Sequence, residues 1–182
     1  MKILISGSSG FIGRNIIKRL RESGHEIVKI KVFQRNEISM EIQKKFVDKQ
    51  LLDLGENIYD VAVFIHLAWM DVHSWDSDFN HSVNQGLSHY LIDCLTQRGI
   101  GRVIVAGTCL EYGPREGDYD EAMEVEPQNG YGLAKYSLYK SLIKLMSKKK
   151  FELTWLRIFY IYGEDQPSKS IYGSLLEHIS RG

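Results

Sequence analysis

Two cysteines, Cys94 and Cys109, are too few to staple a fold of 182 residues, and a chain this long buries enough apolar surface to need no disulfide framework. Three prolines, Pro114, Pro127 and Pro167, exclude a proline-rich linker and fall where loops are expected. Neither sign of charge is in excess: 23 Lys and Arg balance 23 Asp and Glu. That balance removes the electrostatic case for nucleic acid or an anionic membrane as partner. No apolar run is long enough to span a bilayer, and Met1-Lys2-Ile3-Leu4 already reads as a strand rather than a signal segment. A cytoplasmic protein is the expectation. His66, His73, His81 and His89 lie near Asp71, Asp76 and Asp78, but no pair has H-x-x-x-H spacing, so no metal site is expected.

What is present is an alternation of two periods. Short β-branched runs at 2–6, 26–32, 61–66, 101–106 and 151–158 read as strands. Helical stretches follow at 11–23, 79–97, 131–149 and 171–180, the first with Ile12, Ile16, Ile17 and Leu20 on one face and Gly24 as a stop. The segment 38–58 has no clear period. Strand, helix, strand in this order implies a parallel sheet covered on both faces. The fold class expected is α/β, a Rossmann-type doubly wound sheet in three layers, with residues 1–182 forming one dinucleotide-binding domain.

Gly7-Ser8-Ser9-Gly10-Phe11-Ile12-Gly13 lies between the first strand and the first helix. Its G-x-x-G-x-x-G spacing is a variant of the dinucleotide fingerprint. Gly7 permits a tight turn, Gly10 lets backbone approach a pyrophosphate, and Gly13 lets helix pack on strand. The free N–H groups of the helix N-terminus, with Ser9, Phe11 and Ile12 in the same turn, complete an anion site. The acidic residue that normally binds the adenosine ribose belongs at the end of the second strand. That place falls at Lys31, with Arg35 close behind and no carboxylate before Glu37. Positive groups there suit a 2′-phosphate, so NADP is expected, with NAD the alternative.

Tyr131-Gly132-Leu133-Ala134-Lys135 is Y-x-x-x-K. On a helix the two side chains share a face. A free phenol titrates at about 10, and a nearby cation lowers that value. Tyr131 could then exchange the proton that accompanies hydride transfer at a carbonyl or alcohol.

The glycine turn, the Tyr/Lys pair, His66-Leu67-Ala68, Val103 to Gly113 (with Thr108-Cys109-Leu110-Glu111-Tyr112-Gly113) and Leu156 to Gly163 together resemble the extended short-chain dehydrogenase/reductases. More narrowly, the set resembles the NAD-dependent epimerase/dehydratase family, which acts on nucleotide sugars. The resemblance implies Thr108 as the hydroxyl that bonds the reacting oxygen, Tyr131 as acid/base and Lys135 as holder of the nicotinamide ribose. It implies that Asp53 and Leu54 meet the adenine and that Leu67 and Ala68 line the cofactor after His66.

The departures sharpen this expectation. Where family dehydratases carry Asp-Glu after the Thr, this chain has Cys109-Leu110, which disfavours dehydration. Many epimerases have Asn where this chain has Tyr160. The combination looks most like reductases of nucleotide-linked 4-keto-6-deoxy sugars, which serve surface polysaccharides. The alternatives are a nucleotide-sugar 4-epimerase and a dinucleotide-binding module without turnover. Family members continue past the point where this chain stops, and that part supplies much of the sugar-nucleotide pocket. The expectation is a chain that binds dinucleotide with little turnover and exposes an apolar wall suited to homodimer formation.

Overall fold

The computed structural model describes residues 1–34, 37, 39–70, 83–163, 166 and 170–181. Five strands form one parallel sheet: β1 (Lys2–Ser6), β2 (Glu26–Ile30), β3 (Val61–His66), β4 (Arg102–Thr108) and β5 (Glu152–Ile158). Their order is β2-β1-β3-β4-β5, every neighbouring pair parallel. The helices are α1 (Phe11–Glu22), α2 (Met40–Leu54), α3 (Gln85–Gln97), α4 (Gly130–Met146) and α5 (Ile171–Ser180). This is the doubly wound arrangement the sequence implies. The strand order reverses between β1 and β3, and ligands of such sheets bind at that crevice, outside the strands' carboxyl ends.

The pleat sorts the core into two layers. Ile3, Ile5, Val63 and Ile65 point to the face covered by Ile16, Ile17 and Leu20 of α1. Leu4 and Phe64, one residue out of phase, point to the other face, against Val47 and Leu51 of α2, Leu87, Leu91 and Leu95 of α3, and Leu138 and Leu142 of α4. The unbroken apolar runs of β1 and β3 are therefore those of strands buried on both sides. Truncating one fully buried leucine such as Leu91 removes contacts that the layer cannot close over, at about 2–5 kcal/mol.

Element ends follow local chemistry. α1 stops in a Schellman motif: Gly24 takes φ +77°, its N–H donates to the Arg21 carbonyl, and the His25 N–H reaches back to Leu20. α4 starts on Asn129, whose side chain accepts the Gly132 N–H at 2.8 Å. The aperiodic 38–58 segment holds α2 and a short 3-10 turn, Gly55–Ile58. Its amphipathic signal is weak because polar Gln43 sits on the buried face with Val47 and Leu51, while apolar Ile42 and Leu52 are exposed. Among the expected bounds the largest shifts are three: β2 ends at Ile30 rather than 32, β4 at Thr108 rather than 106, and α4 at Met146 rather than 149. The expected helix start at 79–82 lies outside the described residues; α3 runs from Gln85.

Two buried polar side chains fix the edges of the crevice. Gln43 of α2 is fully buried and clasps the segment after β2, bonding both the N–H and the carbonyl of Gln34 and the carbonyl of Glu37. His66 ends β3, with Nδ1 2.7 Å from the Ser6 hydroxyl and Nε2 2.9 Å from the Ser88 hydroxyl. It therefore ties β1, β3 and α3 together rather than lining a cleft. Burial, with the Lys135 charge adding, pushes the imidazole down to about 3. The folded chain thus keeps His66 neutral where the unfolded chain, at about 6.5, takes a proton, so stability falls as pH drops from 6.5 toward 3. Urea unfolding should show a loss of up to about 1.4 kcal/mol per pH unit in that window that is missing from His66→Gln. Parallel pH dependences of wild type and variant would contradict this role.

Candidate functional site

The turn after β1 leaves no room for side chains. Gly7 takes φ +73°, and a Cβ on it would sit 2.7 Å from backbone atoms of Leu67 and Ala68. A Cβ on Gly13 would come within 2.2 Å of the Gly7 carbonyl oxygen. The Gly10 N–H closes the turn on that same carbonyl at 3.1 Å. Gly10 is the N-cap of α1, no side chain caps the helix, and no acidic residue stands in its first turn. The first N–H groups are free to meet an anion, with the helix dipole in favour.

Three adjoining cavities run along the carboxyl ends of the strands. The first, about 650 Å³, lies between the glycine turn and the end of β2; Gly7, Ser9, Lys31, Phe46 and Ala68 are among its walls. The second, about 490 Å³, is lined by Gly10, Phe11, Ile12, Gly13, Leu67, Trp69, Thr108, Tyr131 and Lys135. The third, about 780 Å³, opens beyond Cys109 and Leu110 toward Arg115, Tyr119, Phe159 and Tyr160. Neighbouring cavities share walls, Gly7, Gly10, Leu67 and Trp69 on one side and Cys109, Leu110, Phe159 and Tyr160 on the other.

The structure thus gathers Gly7, Ser9, Gly10, Phe11, Ile12, Gly13, Lys31, Leu67, Ala68, Thr108, Tyr131 and Lys135 around one cleft. Arg35 lies outside the described residues. Asp53 and Leu54 are not brought to it, which corrects the adenine contact expected of them. They are the last two residues of α2, which leads through Gly55–Ile58 to the amino end of β3. There Leu54 packs on the core, and the following segment meets the start of β1, where Lys2 Nζ reaches the Tyr59 carbonyl. Phe46, two turns earlier on α2, stands at the first cavity instead. No group of His, Cys, Asp and Glu among the described residues gathers to hold a metal ion. His73, His81, Asp71, Asp76 and Asp78 lie outside them.

Tyr131 and Lys135 sit on the first turns of α4, which closely approaches the turn after β4, Cys109–Glu111, because Gly132 has no side chain: a Cβ there would lie 2.7 Å from the Leu110 carbonyl oxygen. Lys135 is buried. Its Nζ donates to the Ala106 carbonyl at 2.7 Å and lies 3.8 Å from the Trp69 ring centre, against 5.7 Å from the Tyr131 ring. Burial pushes the Lys135 amine down to about 7, with Glu111 opposing. Tyr131 meets the edge of Trp69 at 5.8 Å between ring centres. Burial raises its phenol, and the nearby Glu111 and Cys109 raise it further. Lys135 was expected to lower the phenol; in this geometry the amine turns to a carbonyl and an indole face instead. Tyr131 stands here as a protonated acid.

Glu111 is the buried group that the residue pattern left without a role. It follows Thr108 in a T-x-x-E capping box, a signal visible in the sequence. Its carboxylate accepts the Thr108 N–H at 2.8 Å, the Trp155 indole N–H at 3.0 Å and the Arg157 Nε–H at 3.1 Å. The Thr108 hydroxyl accepts the Leu110 N–H at 3.3 Å. Cys109 is no activated nucleophile, since burial raises its thiol.

Comparison with known proteins gives the chain its family. Residues 3–182 match the model of the NAD dependent epimerase/dehydratase family, and the chain belongs to that family. A curated relative from Aggregatibacter actinomycetemcomitans, dTDP-6-deoxy-L-talose 4-dehydrogenase (NAD(+)), is 29% identical; the match covers 97% of this chain and 67% of the relative. Among solved structures, UDP-glucuronic acid 4-epimerase from Bacillus cereus, in complex with UDP-glucuronic acid and NAD, is similar with a TM-score of 0.77 at 22% identity. That likeness covers 100% of this chain and 63% of the other. TunA, an NAD dependent NDP-hexosamine 5,6-dehydratase involved in tunicamycin biosynthesis, gives 0.76 at 25% identity, over 98% of this chain and 61% of its own. This chain therefore spans a little under two thirds of the solved structures it resembles. No helix among the described residues is long and apolar enough to cross a membrane.

The buried amine has a measurable signature. Above pH 7 the folded chain releases the Lys135 proton, while the unfolded chain holds it to about 10.5. The unfolded state binds more protons in between, so stability contributed by this group rises with pH from about 7 toward 9. Lys135→Met removes that rise, by up to about 1.4 kcal/mol per pH unit. Urea midpoints of the nucleotide-free proteins check this; parallel curves would show that the amine is not held in a desolvated site.

Proposed function

We propose that the chain binds a nicotinamide dinucleotide, NADP in preference to NAD, and that the cleft reduces the 4-keto group of a nucleotide-linked 6-deoxy sugar. The observation that carries the reading is a half-buried Tyr131, its phenol raised by burial and so held toward the protonated form, in one cavity with the Thr108 hydroxyl and the Lys135 amine. The donor set fits the dinucleotide. The uncapped N-terminus of α1 takes the pyrophosphate, with Gly7, Ser9, Gly10, Phe11, Ile12 and Gly13 forming its cradle. The adenosine half lies in the cavity bounded by Phe46, Ala68 and Lys31, and the nicotinamide half in the cavity bounded by Leu67, Trp69 and Lys135.

When bound, the cofactor supplies the hydride. The chain's own residues manage the oxygen and the proton. The Thr108 hydroxyl and the Tyr131 phenol bond the carbonyl oxygen, and Tyr131 gives it the proton as negative charge develops there. A phenol held in its protonated form suits reduction, where the acid must arrive loaded. Lys135 uses one N–H on Ala106 and keeps others for ribose hydroxyls. Cys109 and Leu110 put apolar groups where a dehydratase of this family needs acid and base, so elimination of water has no proton carrier. The large outer cavity, with Tyr119, Phe159, Tyr160 and Arg115, takes the nucleotide sugar. The relative named for oxidation of a dTDP-6-deoxy sugar at C4 works on the reverse of the same bond change.

Two measurements check this reading. Lys31 is exposed at the end of β2 where family members that prefer NAD place a carboxylate. Lys31→Ser should weaken NADPH binding about tenfold by loss of one charged hydrogen bond, and NADH hardly at all. Equal losses for both, or tighter NADH binding by the unmodified chain, would reverse the cofactor assignment. Tyr131→Phe should keep NADPH binding while its oxidation by a dTDP-linked 4-keto-6-deoxyhexose slows by about 10²-fold or more. Turnover near wild type in that variant would remove Tyr131 from the mechanism.

A further inference from the structure

Glu111 takes no part in the chemistry just described, yet its side chain is fully buried behind the reaction cleft. Every partner it has is a donor. Trp155 and Arg157 come from β5, two residues apart on the same side of the strand, and the Thr108 N–H comes from the last residue of β4. The carboxylate therefore bridges the ends of two neighbouring strands where they reach the cleft. The fit is tight: a Cβ on Gly107 would lie 2.6 Å from Glu111 Oε1 and 2.3 Å from Trp155 Nε1. Arg157 is held from its far side as well, by the Tyr112 hydroxyl at 3.3 Å and the Tyr112 ring at 4.8 Å. Burial raises the Glu111 carboxyl, and the Thr108 N–H, Arg157 and Trp155 pull against that rise.

We propose that Glu111 is a positioning residue for the proton transfer: it fixes the Thr108 backbone at the mouth of the cleft and sets a buried negative charge behind Tyr131 and Lys135. The role in proton transfer rests on the reductase reading of the cleft; the placement of the charge does not. Lys135 is faced by Tyr131 on its own helix, by His66 of β3, which is held neutral, and by Glu111 beyond β4, while Cys109 faces Tyr131. Glu111 is faced by Arg157 from β5. Of these neighbours Glu111 is the one that favours the proton on both Tyr131 and Lys135, against the burial that strips it from the amine. It keeps the pair in the loaded form, phenol and ammonium, that a reduction consumes.

A brace between strands would change stability alone; a positioning charge must also move the titration of Lys135. The test is NMR of the full chain carrying isotope-labelled lysine, the Lys135 signal being the one lost in Lys135→Met. Glu111→Gln should lower the Lys135 midpoint by about half a pH unit or more, a differential interaction of about 0.7 kcal/mol. Trp155→Phe, which removes a donor but leaves the charge, should reduce thermal stability and leave the midpoint in place. Should Glu111→Gln not fold, Arg157→Met takes away a partner that holds the Glu111 carboxyl down, so the carboxyl keeps its proton to higher pH and the Lys135 midpoint should fall. An unmoved midpoint in folded Glu111→Gln, or in Arg157→Met, overturns the proposal. NADPH titration of the wild-type chain separates the two ideas. Binding with an unmoved midpoint overturns the role of Glu111 alone, whereas failure to bind any dinucleotide overturns the reductase reading.

Discussion

A side chain at Gly7 would drive its Cβ to 2.7 Å from the Leu67 and Ala68 backbone, and one at Gly13 would reach 2.2 Å from the Gly7 carbonyl oxygen. Because both positions are bare, the β1–α1 turn lies directly against the end of β3 and helix α1 closes onto its strand. The rest of the cleft depends on that approach. It places the uncapped start of α1 at the reversal of strand order, and it brings Leu67 and Ala68 under the turn as a floor. Ser6 and His66 secure the same junction from within, the Ser6 hydroxyl also taking the Ala68 N–H at 3.4 Å. One steric condition at two glycines thus gives a parallel sheet an uncapped helix N-terminus at its crevice.

The chemistry on the far side of the junction is set by burial. Desolvation acts in opposite directions on the two groups of the Tyr/Lys pair, pushing the phenol up and the amine down. Both shifts favour neutral side chains, which fits a site with an indole on one side and β4 on the other. The carboxylate of Glu111 leans against this trend for the amine and with it for the phenol. Its hold on Thr108, Trp155 and Arg157 makes the same residue a structural bridge between β4 and β5.

How much of this could be read from the residues varies with the range of the interaction. The sheet, the glycine turn and the shared face of Tyr131 and Lys135 are local patterns, and the structure shows them where the spacing puts them. Asp53 and Leu54 fall away from the cleft because α2 carries them toward the amino end of β3, which Gly55–Ile58 then enters. Phe46 could not be singled out, since a half-buried aromatic on a weakly amphipathic helix looks like ordinary packing. The T-x-x-E signal at Thr108 was legible as a cap. Its wider meaning was not, because the partners that make Glu111 a bridge, Trp155 and Arg157, are 44 and 46 residues away. The state of the Tyr/Lys pair was equally hidden: i to i+4 spacing shows that the groups share a face, not that the amine will turn to Ala106 and the Trp69 ring.

The central claim is that a nicotinamide ring occupies the cavity between Trp69 and the Tyr131–Lys135 face. Energy transfer reads that placement directly. With tryptophan excitation of the 182-residue chain, added NADPH should produce nicotinamide emission that saturates with concentration. Trp69→Phe should diminish that emission, the remaining tryptophans still contributing, while calorimetry still shows NADPH bound. Emission that never saturates, or that survives undiminished in Trp69→Phe, would contradict the account.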